Sequence, residues 1–118
     1  MMVLIAAAAA AYLTPSQAIA QADALDGKRV RIGGVADLGT NSRCLWDSMS
    51  EYRKRGTRWD HVITLSEGAN IWTRRAQINH RFIIVEGKLK RHFSAPDVLD
   101  LWQCNDVGVE QNSIIRGR

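Results

Sequence analysis

Residues 28–39 read KRVRIGGVADLG and residues 81–93 read RFIIVEGKLKRHF. In the first stretch Val30, Ile32 and Ala36 alternate with charged or small residues, the period of a half-buried strand, with Gly33 and Gly34 marking a bulge or bend. In the second, Ile83, Val85 and Leu89 share one face, with Gly87 between them. Aligned, Val30-x-Ile32-x-Gly34-x-Ala36 echoes Ile83-x-Val85-x-Gly87-x-Leu89. The flanking segments differ, so this is no tandem repeat. It is the pattern of two strongly bent strands in one small barrel, where glycine permits coiling.

The segments between and around this pair fill in the rest. RCLWDS (43–48) is a short second strand, and HVITLS (61–66), β-branched and apolar, is a third. The basic run EYRKRGTR (51–58) contains Gly56 and suits an exposed loop or one helical turn. In EGANIWTRRAQINH (67–80), Ile71, Arg75 and Ile78 fall at helical spacing and Asn70 is placed to cap the start. DVLDLWQC (97–104) follows Pro96 and fits either strand or helix, and DVGVEQNSIIR (106–116) closes the chain as a last strand. The expected architecture is mainly β: five strands with one helix between the third and fourth, the order of an OB-like barrel.

No charged side chain precedes Asp23, and VLIAAAAAAYL (3–13) is an unbroken apolar run. Pro15 follows, then Ala18-Ile19-Ala20, which matches the small-x-small pattern cleaved by signal peptidase. The run is about half the roughly 20 apolar residues that a bilayer-spanning helix needs. Residues 1–20 therefore read as a signal peptide, and residues 21–118 as a single domain with no membrane span after its removal. No Lys or Arg precedes the run. The competing reading of this segment is a buried alanine-rich helix.

Net charge is +4 and the pI is about 9.5, compatible with an anionic partner but also common in secreted proteins without one. The two cysteines, Cys44 and Cys104, are more informative. In an exported chain of this size they are expected to pair, because the compartment is oxidising and a small core gains from the link. On the chain-entropy model, closing that loop contributes about 4 kcal/mol, less any strain.

Catalytic and metal signatures are weak. A thiol nucleophile at Cys44 needs a histidine base, and His61, His80 and His92 sit in no local motif. Asp47, Asp60, Glu67 and Glu86 have no acid–base spacing, and there is no G-x-S-x-G elbow. Metal ligation has no C-x-x-C, H-E-x-x-H or acidic Ca²⁺ loop to rest on, and Gly33, Gly34 and Gly39 lack dinucleotide spacing. The expectation is a non-enzymatic protein without a cofactor.

Binding has more to work with. OB-folds hold extended polymers on the face of strands two and three with nearby loops. Here that region holds Trp46, the cations Arg53, Lys54, Arg55 and Arg58, and Trp59, the candidate ligand-binding set. Aromatics among cations suit single-stranded nucleic acid, sugar rings or a protein hot spot. The competing reading makes Trp46 a core residue beside the disulfide and 53–58 a solvated loop. Trp72 and Trp102 are expected to pack, given neighbouring Ile71 and Leu101.

LDGKRVRIGGVADLG, then a strand, then NHRFIIVEGKLK, then a cysteine in the closing segment resembles small exported bacterial OB-fold proteins. The group it is similar to is that of uncharacterised bacterial proteins related in fold to the tRNA anticodon-binding OB domain. The resemblance spans roughly residues 25–115. It implies the barrel and a secreted or periplasmic setting, without carrying tRNA binding over. The expected function is that of an envelope binding module for a protein or another envelope component. The alternative is a binder of single-stranded nucleic acid or anionic polysaccharide.

Overall fold

The computed structural model describes residues 11–39, 42–54, 59–93 and 104–116. Two short helices, α1 (Pro15–Ala20) and α2 (Ala22–Leu25), precede β1 (Arg29–Asp37) and β2 (Cys44–Trp46). Helix α3 (Met49–Lys54) and a 3₁₀ turn (Trp59–His61) lead to β3 (Val62–Leu65), then α4 (Arg75–Ile78), β4 (Phe82–Lys90) and β5 (Gly108–Arg116). The strands form a closed barrel in the order β1-β2-β3-β5-β4, antiparallel except for β3 with β5. That is the expected mainly β, OB-like architecture, with one helix between the third and fourth strands. Among the described residues no helix is long and apolar enough to cross a membrane.

The two echoing stretches are partners. β1 and β4 pair antiparallel with Val30 opposite Gly87, Ile32 opposite Val85 and Gly34 opposite Ile83. Directly opposed residues share a face, so the alternating apolar sets meet inside the barrel. Ile32, Ile83, Val85 and Leu89 are fully buried there with Leu45, Ile63 and Leu65. Of the bulge or bend anticipated at Gly33–Gly34, the bulge is not found there. β1 keeps unbroken register against both neighbours, and the shift lies between Glu86 and Gly87, where β4 meets β5. A Cβ on Gly87 would collide with the Glu110 carbonyl, so the close approach of β5 needs glycine at this point.

The helix anticipated after Asn70 is one turn long, Arg75–Ile78. Ala69 and Asn70 are left-handed (φ 58° and 57°), so Asn70 turns the chain instead of capping a helix. Side chains anchor this turn: Arg74 Nη1 donates to the Ile114 carbonyl and Arg75 Nε to the Leu38 carbonyl. Ile71 and Ile78 still reach the core, while Trp72, expected to pack, is 37% exposed. Residues 97–103, including Trp102, lie outside the described residues.

Cys44 and Cys104 are joined, with Cα atoms 5.8 Å apart. The bond ties β2 to the turn that leads into β5. Replacing both cysteines by alanine is expected to lower the unfolding free energy by about 2–4 kcal/mol. Equilibrium denaturation in urea measures this, and an unchanged midpoint would contradict a stabilising role.

Candidate functional site

The inner face of the barrel is filled, so a binding surface must lie on its outside. There, a cross-strand row runs Phe82–Val35–Trp46–Val62 over β4, β1, β2 and β3, each residue opposite the next. Cys44, Trp46, Val62 and Cys104 form a second small apolar cluster, with Tyr52 of α3 against it. The Trp46 and Tyr52 rings meet edge to face at 6.3 Å, and Tyr52 Oη lies 3.1 Å from His80 Nε2. Thr64 Oγ1 on β3 accepts from the Cys104 and Asn105 amides (2.8 and 3.0 Å) and donates to the Asn105 carbonyl (2.7 Å). The outer face of β2–β3 is thus closed by the disulfide, its turn and Tyr52.

This divides the anticipated ligand set. Trp46 is only 4% exposed and offers no free ring face, and its Nε1 has no hydrogen-bond partner among the described residues. It packs beside the disulfide, as the competing reading held. Trp59 is 56% exposed, and Arg53 and Lys54 are exposed in the last turn of α3, where cations complement the helix dipole. Arg55 and Arg58 lie outside the described residues.

The three histidines sit apart, each with its own partner. His61 Nδ1 lies 2.8 Å from Asp47 Oδ2, while Asp47 Oδ1 accepts from the Ser16 amide at the start of α1. His92 Nδ1 lies 2.6 Å from Asp106 Oδ2. Both cysteines are in the disulfide, so neither provides a thiolate. Among the described residues no three His, Cys, Asp or Glu side chains gather into a possible metal site.

A different surface emerges on β1, β4 and β5. Tyr12 (41% exposed) leans on Phe82 with ring centroids 5.5 Å apart, beside half-buried Ile84 and exposed Ile115 (46%). Ile84 pairs with both Gly33 and Ile115, so this apolar patch is continuous across three strands. A Cβ on Gly33 would come within 2.6–2.8 Å of the Tyr12 and Phe82 rings, which need the bare backbone as a floor. Arg29 and Arg31 flank the patch and share Glu86 (3.1 and 3.2 Å). Beside them a groove of about 350 Å³ runs between Tyr12, Leu13, Leu25 and β1.

Sequence reasoning missed this surface. One signal was available: Phe82 and Ile84 occupy the outward positions of β4, where alternation calls for polar residues. Tyr12 was hidden inside the apolar run assigned to a leader.

No protein-family model matches the chain, and no curated protein does. Among solved structures, it is similar to "OBody AM1L10 bound to hen egg-white lysozyme" at 16% identity, covering 90% of this chain and 86% of that one, with a TM-score of 0.47. It is also similar to "OBody AM2EP06 bound to hen egg-white lysozyme" at 14% identity, covering 88% and 85%, with a TM-score of 0.46. The barrel assignment rests on strand order alone.

Trp46→Ala is expected to cost about 3–5 kcal/mol by emptying a packed outer-layer site, whereas Trp59→Ala should stay within about 0.5 kcal/mol. Urea denaturation of the two variants measures the contrast, and equal losses would contradict the assignment of Trp46 to packing.

Proposed function

We propose that the protein is an exported, non-enzymatic binding module whose partner is a protein or another envelope component. The observation that carries this reading is the exposed apolar patch Tyr12–Phe82–Ile84–Ile115, bordered by Arg29 and Arg31, on a closed barrel. Exposed aromatics beside arginines are the composition of protein hot spots, and a contiguous apolar patch on a small domain marks a contact site. The buried disulfide supports an oxidising compartment, hence a secreted or periplasmic setting. It also supports a non-enzymatic role, since it consumes the one nucleophile that the sequence offered with any chemical logic.

The second reading is a binder of single-stranded nucleic acid or anionic polysaccharide. Its support is local: exposed Trp59, with exposed Arg53 and Lys54 on the preceding helix. It loses the stacking contribution of Trp46.

Two measurements separate the readings. A photo-crosslinking residue in place of Ile115 is expected to trap a discrete partner in the envelope, and the same residue in place of Lys54 is expected to trap none. Titration with a single-stranded oligonucleotide is expected to show no saturable binding. A binding constant that falls steeply between low and moderate salt, together with adducts at position 54 only, would replace the first reading by the second.

A further inference from the structure

We infer that Tyr12–Leu25 is a permanent part of the folded domain, a strap across the barrel, and that any leader is removed at or before Ala11 and not after Ala20. The second clause rests on the export reading; the first does not.

The main chain supplies the first argument. Along its first half β1 pairs with β4 on one side, while β2 reaches only Val35–Asp37 on the other. Leu13 occupies the vacant side in a parallel bridge to Ile32, its amide donating to the Arg31 carbonyl (2.8 Å) and its carbonyl accepting from Gly33 (2.9 Å). Without the strap those two groups of β1 would have to find other partners. The strap is anchored again where the Ser16 amide donates to Asp47 Oδ1, the carboxylate that also holds His61.

Local sequence supplies the second. Thr14 and Gln17 form a reciprocal capping box at the start of α1, with Pro15 at the first helical position. These are the signals of a helix that stays folded, and a discarded leader has no use for them. Packing supplies the third. Ala18 and Ala22 are 0% and 2% exposed in the main core, with Leu13, Ile19 and Leu25 against it. Pro15 is buried over Gly34, where an added Cβ would come within 3.2 Å of Pro15 Cγ. Ala18 is fully buried in the core, which gives Ala18-Ile19-Ala20 a structural reading independent of any peptidase. Cleavage after Ala20 would separate α1 from α2 and remove both Ala18 from the core and the Leu13 bridge from the edge of β1.

The test uses the full chain expressed in a bacterium that exports proteins to its periplasm, with the intact mass of the product as readout. The inference expects a new N-terminus no later than Tyr12. A product beginning at Gln21 would overturn it. A full-length product retained in the cytoplasm would overturn the export reading and the cleavage clause that rests on it, while the strap is decided by the two variants that follow, so the two failures are distinguishable. In addition, Ala18→Asp in the full chain should lower the thermal midpoint by about 10 °C or more, by placing a charge in the core. Ala20→Asp, on the exposed side of α1, should leave it nearly unchanged. Equal midpoints for the two variants would overturn the strap.

Discussion

The register of β1 against β4 is the constraint on which the rest of the structure depends. Three inward pairs define it: Val30 with Gly87, Ile32 with Val85, and Gly34 with Ile83. Two of the three set a glycine opposite a branched residue, and the central pair is branched on both sides. This distribution leaves space for the walls to coil while keeping the middle filled. Because the side-chain period is two, a slip of one residue would turn Phe82 and Ile84 inward and Ile83 and Val85 outward. The register therefore decides both what the core contains and which apolar residues remain on the surface.

Outside that core the chain builds a second apolar layer, and this layer governs where a partner can bind. On β2–β3 the disulfide, the Thr64-held turn and Tyr52 cover Trp46 and Val62, so the face that OB-folds commonly use for polymers is occupied by the protein itself. On β1–β4–β5 the cover is partial: Tyr12 shields Gly33 and leans on Phe82, but Ile115 stays open. The same strategy of covering outward apolar residues thus ends in one sealed face and one open face.

Much of the barrel was legible because its strands are strongly periodic. The echo between residues 30–36 and 83–89 marked two bent strands of one barrel, though not that they pair with each other, and the cysteine count in a chain of this size pointed to the disulfide. Other features were set by tertiary contacts that periodicity does not encode. Ile71 and Ile78 read as a helical face and do reach the core, yet the helix is a single turn, with Arg74 and Arg75 bonded to the Ile114 and Leu38 carbonyls where spacing alone suggested continuous α-helix. Trp46 and Trp59 are each followed by an aspartate and read together as one ligand set. What separates them is that Trp46 stands opposite Val35 and Val62 in the sheet, information held by the register and not by either residue. Residues 12–20 read as part of a leader because alanine-rich composition serves equally for a discarded helix and for one packed tightly against a barrel.

The most direct test of the central claim is the pattern of cross-strand backbone proton contacts seen by nuclear magnetic resonance. The account predicts contacts joining Ile32 to Val85 and Val30 to Gly87 on one side of the barrel, and Thr64 to Gly108 across the parallel β3–β5 seam. Contacts joining Ile32 to Ile84, or none across β3–β5, would contradict it.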